Sequence, residues 1–489
     1  MAMEVIRWWC VLCLCLLSSW VTASETASTQ VRDDLVGAVC IIRHDNQIVM
    51  LSEVITKKLS LPGGYIDKPD TPKEAAAREA LEESGIQVHV GDLLQYRGRA
   101  AIYACQATSP ILVSSFRDKR GFPIVASWFS KHFASEVERV YLIDPQQVTT
   151  SDYRYASDVL LLPGWMARTP NSDVLEYDQL DDKINLLHQY EVRHIQAFQH
   201  AVEQWPPLAQ VVFEAIAYVL NLPGEVWFIM LVVVLTAGCL GTKPLVELLF
   251  LLLIGLFTTS LLKHGIASPR PFFALPELQR IDASGFGFPS GHTLMATLLW
   301  GGVWHVMTQR APSFQKIIVG VIVALLIIGQ GAARVWFGVQ FISDVVITMM
   351  LGIMIVSSLL VWRTHEPPLQ TYLYNRWFWL FLTMAVGIIA SYTLVPAQAY
   401  IFAMMLGIFL SVEFASKQMA ESTGLPVPKA LLSCVIIGGI TGILYGALQY
   451  IAEQSTVSLI VLGIKASGCL VITLWLVAGT AWLHRRLRA

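Results

Sequence analysis

From about residue 207 onward, the chain is a series of long apolar runs separated by short polar breaks. A helix of about 20 apolar residues spans the hydrocarbon core of a bilayer. Backbone polar groups inside a membrane need internal partners, so runs of this kind fold as helices. Apolar residues make up 55% of the 489 residues, charged residues 14%, and the mean hydropathy is +0.55. We therefore expect an all-α, multi-span membrane helix bundle in this part of the chain.

The apolar runs predict nine spans, near residues 225–241, 244–262, 293–308, 316–333, 342–362, 376–394, 397–414, 428–449 and 464–483. The segment 208–222 is short and interrupted, and we interpret it as a partly inserted helix. Nine spans place most positive residues in loops on one side: Lys243, Arg310, Lys316, Arg363, Arg376, Lys417, Lys429, Arg485, Arg486 and Arg488. The positive-inside rule assigns that side to the cytoplasm, so the opposite side, with Lys263 to His292, faces outward.

The first residues, Met1–Ala23, have the pattern of an export signal, with Arg7 ahead of an apolar stretch and small residues at its end. An uncleaved anchor helix is the alternative. Both interpretations place the following polar domain outside the cytoplasm, in the periplasm or exterior, and the chain in the inner (cytoplasmic) membrane. Cys40 and Cys105 lie in that polar domain and are able to pair if it is exported. A net charge of −2 gives no indication of a nucleic-acid partner.

The polar domain begins with two predicted strands, Leu35–Arg43 and Gln47–Glu53, joined by a tight turn. A helix is predicted to follow Thr71, which is a suitable N-cap and forms a capping box with Glu74. Gly85 is placed to end this helix as a C-cap. The result is a short helix with strong local start and stop signals.

Three acidic residues of this helix, Glu79, Glu82 and Glu83, are spaced so that they project from one face. Close carboxylates repel one another, and a divalent cation would relieve the repulsion. Hard oxygen ligands favour Mg²⁺ or Mn²⁺. From the spacing alone, a solvated acidic helix face is the alternative.

A longer pattern surrounds these glutamates and resembles the signature of the Nudix hydrolases. It reads Gly64-x5-Asp70-x7-Arg78-Glu79-Ala80-Leu81-Glu82-Glu83-Ser84-Gly85-Ile86, with Asp70 in place of a glutamate and Ala80 as a small apolar member. The resemblance implies an α/β/α sandwich over about residues 31–166. It also implies Glu79, Glu82 and Glu83 as metal ligands, with Arg78 and Gly64 in supporting positions. The implied substrate is a nucleoside diphosphate linked to another group, or a related diphosphate.

A second set of polar residues interrupts the apolar half: Lys263, Arg270-Pro271, Pro289-Ser290-Gly291-His292, Arg334 and Asp344. Ionisable groups in or beside membrane spans are costly, and they mark a functional site by default. Cationic side chains and positioned donors at helix ends are what phosphoryl chemistry requires. The set therefore predicts a phosphate site.

The order of these motifs resembles the type-2 phosphatidic acid phosphatase superfamily. The resemblance covers about residues 223–350. It implies Lys263, Arg270, Ser290, Gly291 and Arg334 as phosphate-binding residues, His292 as the general acid and Asp344 as the residue that orients the nucleophile. This sequence departs from the pattern at Ala333, where a serine is usual, and at Gln340, where the family has its nucleophilic histidine. An amide does not form a phosphoenzyme as an imidazole does.

Gln340 leaves three possibilities open for the membrane site. The site binds lipid phosphates with little turnover, or it uses water or a neighbouring histidine such as His264 or His292. Otherwise the sequence differs by one change from an active parent. In each case, Asp344 is able to accept a hydrogen bond from the Gln340 amide.

The resulting domain organisation is residues 1–23, an export signal or anchor; 31–166, a Nudix-like domain; 167–222, a connector; 223–365, a phosphatase-like membrane core; and 366–489, additional transmembrane helices. The connector is predicted to contain an amphipathic helix from Leu180 to Trp205 in the membrane interface.

The sequence predicts a membrane hydrolase of lipid phosphate or diphosphate, with undecaprenyl diphosphate favoured, joined to a Mg²⁺-dependent Nudix enzyme on the same outer face. No cofactor is expected in the membrane domain, and the oligomeric state is left open. The alternative is a lipid-phosphate-binding, catalytically impaired membrane anchor for an active Nudix enzyme. A transporter is disfavoured, since no paired interrupted helices occur in corresponding halves of the sequence.

Overall fold

The computed structural model describes residue 32 and residues 34–308, 311–418 and 425–488. The predicted export segment, Met1–Ala23, lies outside the described residues. Ten strands form the N-terminal domain: β1 Gly37–His44, β2 Gln47–Glu53, β3 Leu59–Ser60, β4 Gly63–Tyr65, β5 Val88–Arg97, β6 Ala100–Ala107, β7 Ile111–Arg117, β8 Pro123–Val125, β9 Val137–Ile143 and β10 Val174–Tyr177.

The strands form one curled sheet in the order β10-β7-β8-β9-β2-β1-β6-β5, with β3 on β2 and β4 on β1. Helix α1, Pro72–Ser84, packs its alanines on one face of the sheet. Helix α2, Leu162–Ala167, packs Leu162 and Trp165 on the other face. This arrangement confirms the predicted α/β/α sandwich. A disulfide joins Cys40 to Cys105, whose Cα atoms are 5.6 Å apart on adjacent strands β1 and β6.

The sheet continues beyond residue 166, because β10 pairs in parallel with β7. A single 3₁₀ turn, Asp181–Lys183, then leads into helix α3, Leu186–Glu203. Its apolar face packs through Ile195 and Val202 on helices and loops of the membrane half. The predicted amphipathic helix is therefore present, and that face covers other parts of the protein.

The remaining helices are α4 Pro207–Asn221, α5 Val226–Leu235, α6 Thr242–Ile266, α7 Pro271–Ala274, α8 Gly291–Thr308, α9 Ser313–Trp336, α10 Ile342–Thr364, α11 Leu369–Leu373, α12 Arg376–Thr393, α13 Pro396–Gln418, α14 Val427–Glu453, α15 Ser458–Leu474 and α16 Thr480–Arg488. Within the described residues, seven helical segments are long and apolar enough to cross a membrane. Pro207–Gly224 and Val226–Leu240 form an eighth candidate, bent by 59°.

Nine spans were predicted, and the described residues hold up to eight candidates by length and composition. Helix α8 is present where a span was predicted, but it is not among the candidates. Two histidines, His292 and His305, and several glycines and threonines reduce its apolar character.

The two ends of the membrane bundle differ in the charged contacts that they carry. At one end, Arg363 pairs with Glu247 at 3.4 Å and Arg376 pairs with Glu413 at 2.6 Å. The opposite end carries the N-terminal domain, where Lys465 donates to the carbonyl oxygen of Ile55 at 3.0 Å. The basic loops and the N-terminal domain thus lie at opposite ends of the bundle.

Candidate functional site

The acidic helix α1 begins and ends as predicted. The Thr71 hydroxyl accepts from the Glu74 N–H, and the Glu74 carboxylate accepts from the Thr71 N–H. Gly85 ends the helix in the left-handed conformation, with φ of 75°. The glycine at position 64 is required by a close approach, because a Cβ there would lie 2.6 Å from the Glu79 carboxylate. The loop before α1 therefore fits directly against the acidic face.

Arg78 lies among the carboxylates and donates to several of them. Its guanidinium donates to Asp70 at 2.8 Å, to Glu79 at 2.9 Å and to Glu82 at 3.2 Å. It also donates to the carbonyl oxygen of Tyr65 at 2.9 Å. These contacts agree with the orienting role that the Nudix resemblance implies for Arg78, and Asp70 takes part through the same guanidinium.

Three residues on this face are close enough together to hold a metal ion, and this candidate group overlaps the predicted ligand set in Glu79 and Glu82. Ligand atoms of Glu79, Glu82 and His132 all lie within 4.8 Å of one another. Among the described residues, Glu83 does not belong to this group; its carboxylate accepts from the Gly63 N–H at 2.8 Å. His132 was missed by the sequence reasoning because it follows the glutamates by several strands and stands in no recognised motif.

The electrostatics of the acidic face favour a bound cation. Burial raises the pKa of Glu79 above its ordinary value, although Arg78 opposes the shift. Burial also raises the pKa of the Glu83 carboxyl well above its ordinary value. Burial acts in the same direction on Glu82, but Lys131 and other positive neighbours outweigh it and lower that pKa. Carboxylates that burial penalises gain from a divalent cation, so the donor set fits Mg²⁺ or Mn²⁺.

The second site lies in the membrane half, where several helix ends meet. Lys263 comes from the last turn of α6, Arg334 from the last turn of α9, and Asp344 from the first turn of α10. Arg270 and Gln340 come from the loops that precede α7 and α10. The side chains of Arg270, Arg334, Gln340 and Asp344 are buried. The structure therefore brings together the predicted motifs from distant parts of the chain.

Two of the predicted phosphate-binding cations contact the protein backbone. Lys263 donates to the carbonyl oxygens of Phe286 and Gly287. Arg270 donates to three more, those of Ser284 at 2.9 Å, Gly285 at 2.8 Å and Val339 at 2.7 Å. These contacts hold the loop before α8 in place, which is a role the sequence motifs did not indicate.

Arg334 and Gln340 each carry a buried atom that lacks a partner among the described residues. The Arg334 Nη1 donates to Asn221 at 3.3 Å, while its Nε has no acceptor. The Gln340 Oε1 also has no donor. A buried donor without a partner is costly, and a phosphate oxygen would satisfy the arginine. The unsatisfied Arg334 donor, which lies among the predicted motif residues, is therefore consistent with an anion site there.

The start of helix α8 carries the predicted Pro-Ser-Gly-His motif. The Ser290 N–H donates to Thr348 at 3.0 Å, and its hydroxyl lies 2.9 Å from that of Thr293. Gly291 is the first residue of the helix, as expected for an anion-binding helix start. The His292 Nε2 lies 3.2 Å from the Glu225 carboxylate. Glu225 was missed, although a charged residue between two apolar runs is a signal that the sequence carries.

The hydrogen bond suggested between Gln340 and Asp344 is not recorded in the described part of the chain. Instead, the Asp344 carboxylate accepts from the Phe341 N–H at 3.3 Å and caps the start of α10. A carboxylate at a helix start is stabilised by the exposed N–H groups there. Asp344 therefore helps to define the turn around residue 340.

One loop of the N-terminal domain, residues 126–136, contacts both candidate sites. It carries His132 of the metal-ligating group at one point and Trp128 and Phe133 at others. Trp128 stacks on Phe273 with ring centroids 5.3 Å apart, and Phe133 contacts Phe286 at 5.2 Å. Phe273 and Phe286 belong to the segment that carries Arg270 and precedes His292. The two sites thus lie on the same end of the bundle and share one loop.

The structure thus places one cluster of charged residues on a sandwich domain and a second among membrane helices. Residues 32–141 match the NUDIX domain model, and residues 244–368 match the model of the PAP2 superfamily. The chain is therefore a fusion of a Nudix domain and a PAP2-superfamily membrane domain. Both are families of phosphoryl hydrolases, and the seven candidate spans make it a multi-pass membrane protein.

Individual relatives cover parts of the chain. Phosphatidylglycerophosphatase B of Bacillus subtilis (strain 168) is 29% identical over 151 residues, which are 29% of this chain and 70% of that protein. The crystal structure of a transmembrane PAP2 type phosphatidylglycerolphosphate phosphatase from Bacillus subtilis is 23% identical, with 35% of this chain and 94% of that chain covered and a TM-score of 0.21. A NUDIX hydrolase from Nitrosomonas europaea is 18% identical, with 30% and 82% covered and a TM-score of 0.21.

Proposed function

We propose that this protein hydrolyses a lipid phosphate or diphosphate in its membrane domain and a second diphosphate in its Nudix domain. The observation that carries the membrane half of the proposal is the buried Arg334, whose Nε lacks an acceptor among the described residues. Lys263 and Arg270 lie close enough for their positive charges to act on the same region. A phosphate group would satisfy the free donor and balance this excess of positive charge.

A lipid substrate is supported by the position of the site at the ends of membrane helices. The headgroup phosphate of a lipid reaches this depth while its chains remain in the bilayer. We propose undecaprenyl diphosphate as the first lipid to test, and the relative's name adds phosphatidylglycerophosphate as a second. Both substrates present the terminal phosphate that Arg334 and the start of α8 are arranged to bind.

The Nudix domain is proposed to act on a diphosphate with Mg²⁺ or Mn²⁺. Glu79, Glu82 and His132 would hold the cation, which would supply Lewis acidity toward the diphosphate when bound. Arg78 orients two of these glutamates, and Glu83 holds the preceding loop through Gly63. A nucleoside-diphosphate derivative is the soluble substrate class to test.

We propose that both sites face the periplasm or exterior, with the chain in the cytoplasmic membrane. The basic residues Arg363 and Arg376 lie at the end of the bundle opposite the Nudix domain, which supports an outward Nudix domain under the positive-inside rule. The Cys40–Cys105 disulfide supports the same placement, because disulfides persist in oxidising compartments.

The alternative function is a lipid-phosphate-binding anchor for an active Nudix enzyme. Gln340 is the observation that favours it, since its amide stands where the family has a nucleophile. Under this alternative, Arg334 still binds the phosphate, and lipid turnover is absent.

The test uses the purified full chain in detergent and measures phosphate release from undecaprenyl diphosphate and from phosphatidylglycerophosphate. Arg334→Gln removes the charge that faces the proposed phosphate, and Arg363→Gln removes an arginine at the opposite end of the bundle as a control. We expect Arg334→Gln to lower lipid hydrolysis by about a hundredfold, as for the loss of a charge-stabilising donor. Equal activity of the two variants would contradict the assignment of the membrane site. Binding of the lipids without phosphate release would establish the anchor instead.

A further inference from the structure

The His292 ring is held by a carboxylate that belongs to none of the phosphatase motifs. Its Nε2 lies 3.2 Å from the carboxylate of Glu225, which stands at the bend between α4 and α5. We propose that Glu225 is a positioning residue that makes His292 a general base, so that His292 takes over the activation of the attacking group in a site that lacks a histidine at position 340. This inference rests on the proposed lipid phosphatase activity.

The backbone before Glu225 is shaped to fit the ring. A Cβ at position 224 would lie 2.5 Å from the His292 side chain, so Gly224 is packed directly against it. The 3₁₀ turn Leu222–Gly224 places Glu225 immediately beyond this contact. The position of the His292 ring is therefore fixed by packing against Gly224 and by the Glu225 carboxylate at its Nε2.

The same carboxylate is connected to the phosphate-binding arginine. The Asn221 amide donates to Glu225 at 2.8 Å, and its oxygen accepts from Arg334 at 3.3 Å. Arg334, Asn221, Glu225 and His292 therefore form one chain of contacts. A phosphate bound by Arg334 would therefore be linked to His292 through Asn221 and Glu225.

The contact with the Glu225 carboxylate determines which nitrogen of the His292 ring carries the proton and which keeps a free lone pair. An ionised Glu225 accepts a hydrogen bond from the protonated Nε2 of neutral His292, and Nδ1 is left as the acceptor. An imidazole in this tautomer removes a proton from a nucleophile, as in a carboxylate–histidine pair of a hydrolase. The motif resemblance assigned a general acid to His292, and the contact with Glu225 changes that role.

The residues of the third motif are unable to supply this function. Gln340 has an amide, which has no basic nitrogen. Asp344, the expected partner of the absent histidine, accepts from the Phe341 N–H instead. Within the described residues of this site, Glu225 and His292 thus form the carboxylate–histidine pair.

The proposed step is the hydrolysis of a phosphate monoester by water. The water oxygen bonds to phosphorus while its proton passes to Nδ1 of His292. The bond between phosphorus and the lipid oxygen breaks, and the leaving oxygen takes up a proton from solvent. Free lipid alcohol and inorganic phosphate result, and His292 returns its proton to solvent.

The experiment compares Glu225→Gln, Glu225→Asp and the control Glu247→Gln in the full chain, with phosphatidylglycerophosphate as substrate. Glu247 is a glutamate of the neighbouring helix α6 at the opposite end of the bundle, paired with Arg363. We expect Glu225→Gln to lower kcat by about tenfold to a hundredfold with little change in KM. Glu225→Asp should retain part of the activity, and Glu247→Gln should match the parent.

The pH profile separates positioning from a purely structural role. His292 experiences Glu225 and the positive charges of Arg334, Arg270 and Lys263. Loss of the Glu225 charge makes the imidazole less basic, so the acidic limb of the kcat/KM profile should move to lower pH in Glu225→Gln. If the acidic limb of the Glu225→Gln profile does not move and its kcat is unchanged, the inference is wrong and the phosphatase proposal still stands.

If the parent itself releases no phosphate, the proposed function and this inference both fail. Thermal unfolding of each variant identifies one that fails to fold, and Glu225→Asp then provides the comparison of kcat and pH profile.

Discussion

Arg270 donates a 2.7 Å hydrogen bond to the carbonyl oxygen of Val339, the residue before Gln340. The first phosphatase motif therefore fixes the backbone at the position where the family has its nucleophile. Asp344 supports the same turn by accepting from the Phe341 N–H. Because these contacts use backbone atoms, they do not depend on the side chain at position 340. The backbone at position 340 is therefore held in place, although this chain has glutamine where the family has histidine.

This geometry makes Gln340→His an informative substitution. The imidazole would enter a preformed turn next to Arg334 and supply the basic nitrogen that the amide lacks. We expect phosphate release from phosphatidylglycerophosphate to rise by at least about tenfold, the lower part of what a positioned base or nucleophile contributes. The matched control is Gln398→His, a buried glutamine elsewhere in the membrane half. A rate equal to that of an active parent would show that attack does not occur from position 340, and it would exclude the binding-only alternative.

The Nudix metal group gives a second prediction, on Glu82. Its carboxylate is one of the three candidate ligands, and it also contacts Lys131 at 2.5 Å. Glu82→Gln keeps the shape of the side chain and removes the charge that a divalent cation requires. We expect Mg²⁺-dependent hydrolysis of a nucleoside-diphosphate sugar to fall by about a hundredfold or more. Glu176→Gln, on the exposed side of β10, is the control and should match the parent. Retention of nucleotide hydrolysis in Glu82→Gln would disprove the metal assignment.

His132 provides a separate test, because no sequence motif includes it. Replacement by asparagine removes the imidazole from the group with Glu79 and Glu82. We expect Mn²⁺ affinity, measured by calorimetric titration, to fall by about tenfold or more. His89→Asn changes an exposed histidine on β5 and should leave the affinity unchanged. If both variants bind Mn²⁺ equally well, the ligand set is the predicted one with Glu83 in place of His132.

The features that the sequence predicted depend on residues close together in the chain. The residues that it missed depend on contacts between distant segments. Helix α1 was predicted with its caps because Thr71, Glu74 and Gly85 act within a few positions of one another. The membrane bundle was predicted because most runs of apolar residues are long enough to span a bilayer, whatever the rest of the chain does. His132 and Glu225 depend on chain segments that meet only in the folded protein. Single-sequence patterns therefore indicate the families and their motifs, and the completed sites require the fold.

Arg270 shows the same limit for a residue that was predicted. Its motif implied a phosphate-binding role, and the structure gives its guanidinium three backbone carbonyl partners. Those carbonyls come from the loop before α8 and from the turn at Val339. No spacing rule in the sequence indicates that these two segments meet.

The connector helix α3 leads to a prediction on pH. The His188 ring stacks on Phe341 with centroids 3.8 Å apart, and burial lowers the pKa of His188 below its ordinary value. The unfolded chain then binds a proton at a higher pH than the folded protein does. His188 thus contributes stability that is present above its unfolded pKa, about 6.5, and that is lost as the pH falls through that value. We therefore expect the stability that His188 contributes by packing on Phe341 to be lost at acidic pH.

Thermal unfolding at pH 7.5 and pH 5.5 tests this contribution. His188→Phe keeps an aromatic ring on Phe341 and removes the titrating group, so its loss of stability on acidification should be smaller than that of the parent. His194→Phe changes an exposed histidine of the same helix and should keep the parent's pH dependence. An equal acid sensitivity of the parent and His188→Phe would assign the effect to other groups.

The contact between the two domains gives the last prediction. Phe273 stacks on Trp128 at 5.3 Å and contacts Phe133 edge-on at 5.6 Å, so one side chain joins the shared loop to the segment that carries Arg270. Each aromatic contact contributes roughly 1 kcal/mol beyond burial, and Phe273→Ala should weaken domain docking by about 2 kcal/mol.

The expected result of Phe273→Ala is faster protease cleavage in the connector together with lower lipid phosphatase activity, because the loop before α8 loses its support. Mn²⁺ affinity should fall little, since the candidate metal ligands lie on the Nudix domain itself. Phe414→Ala, an exposed position on α13, is the control. Unchanged cleavage and activity in Phe273→Ala would mean that the aromatic contact does not hold the two domains together.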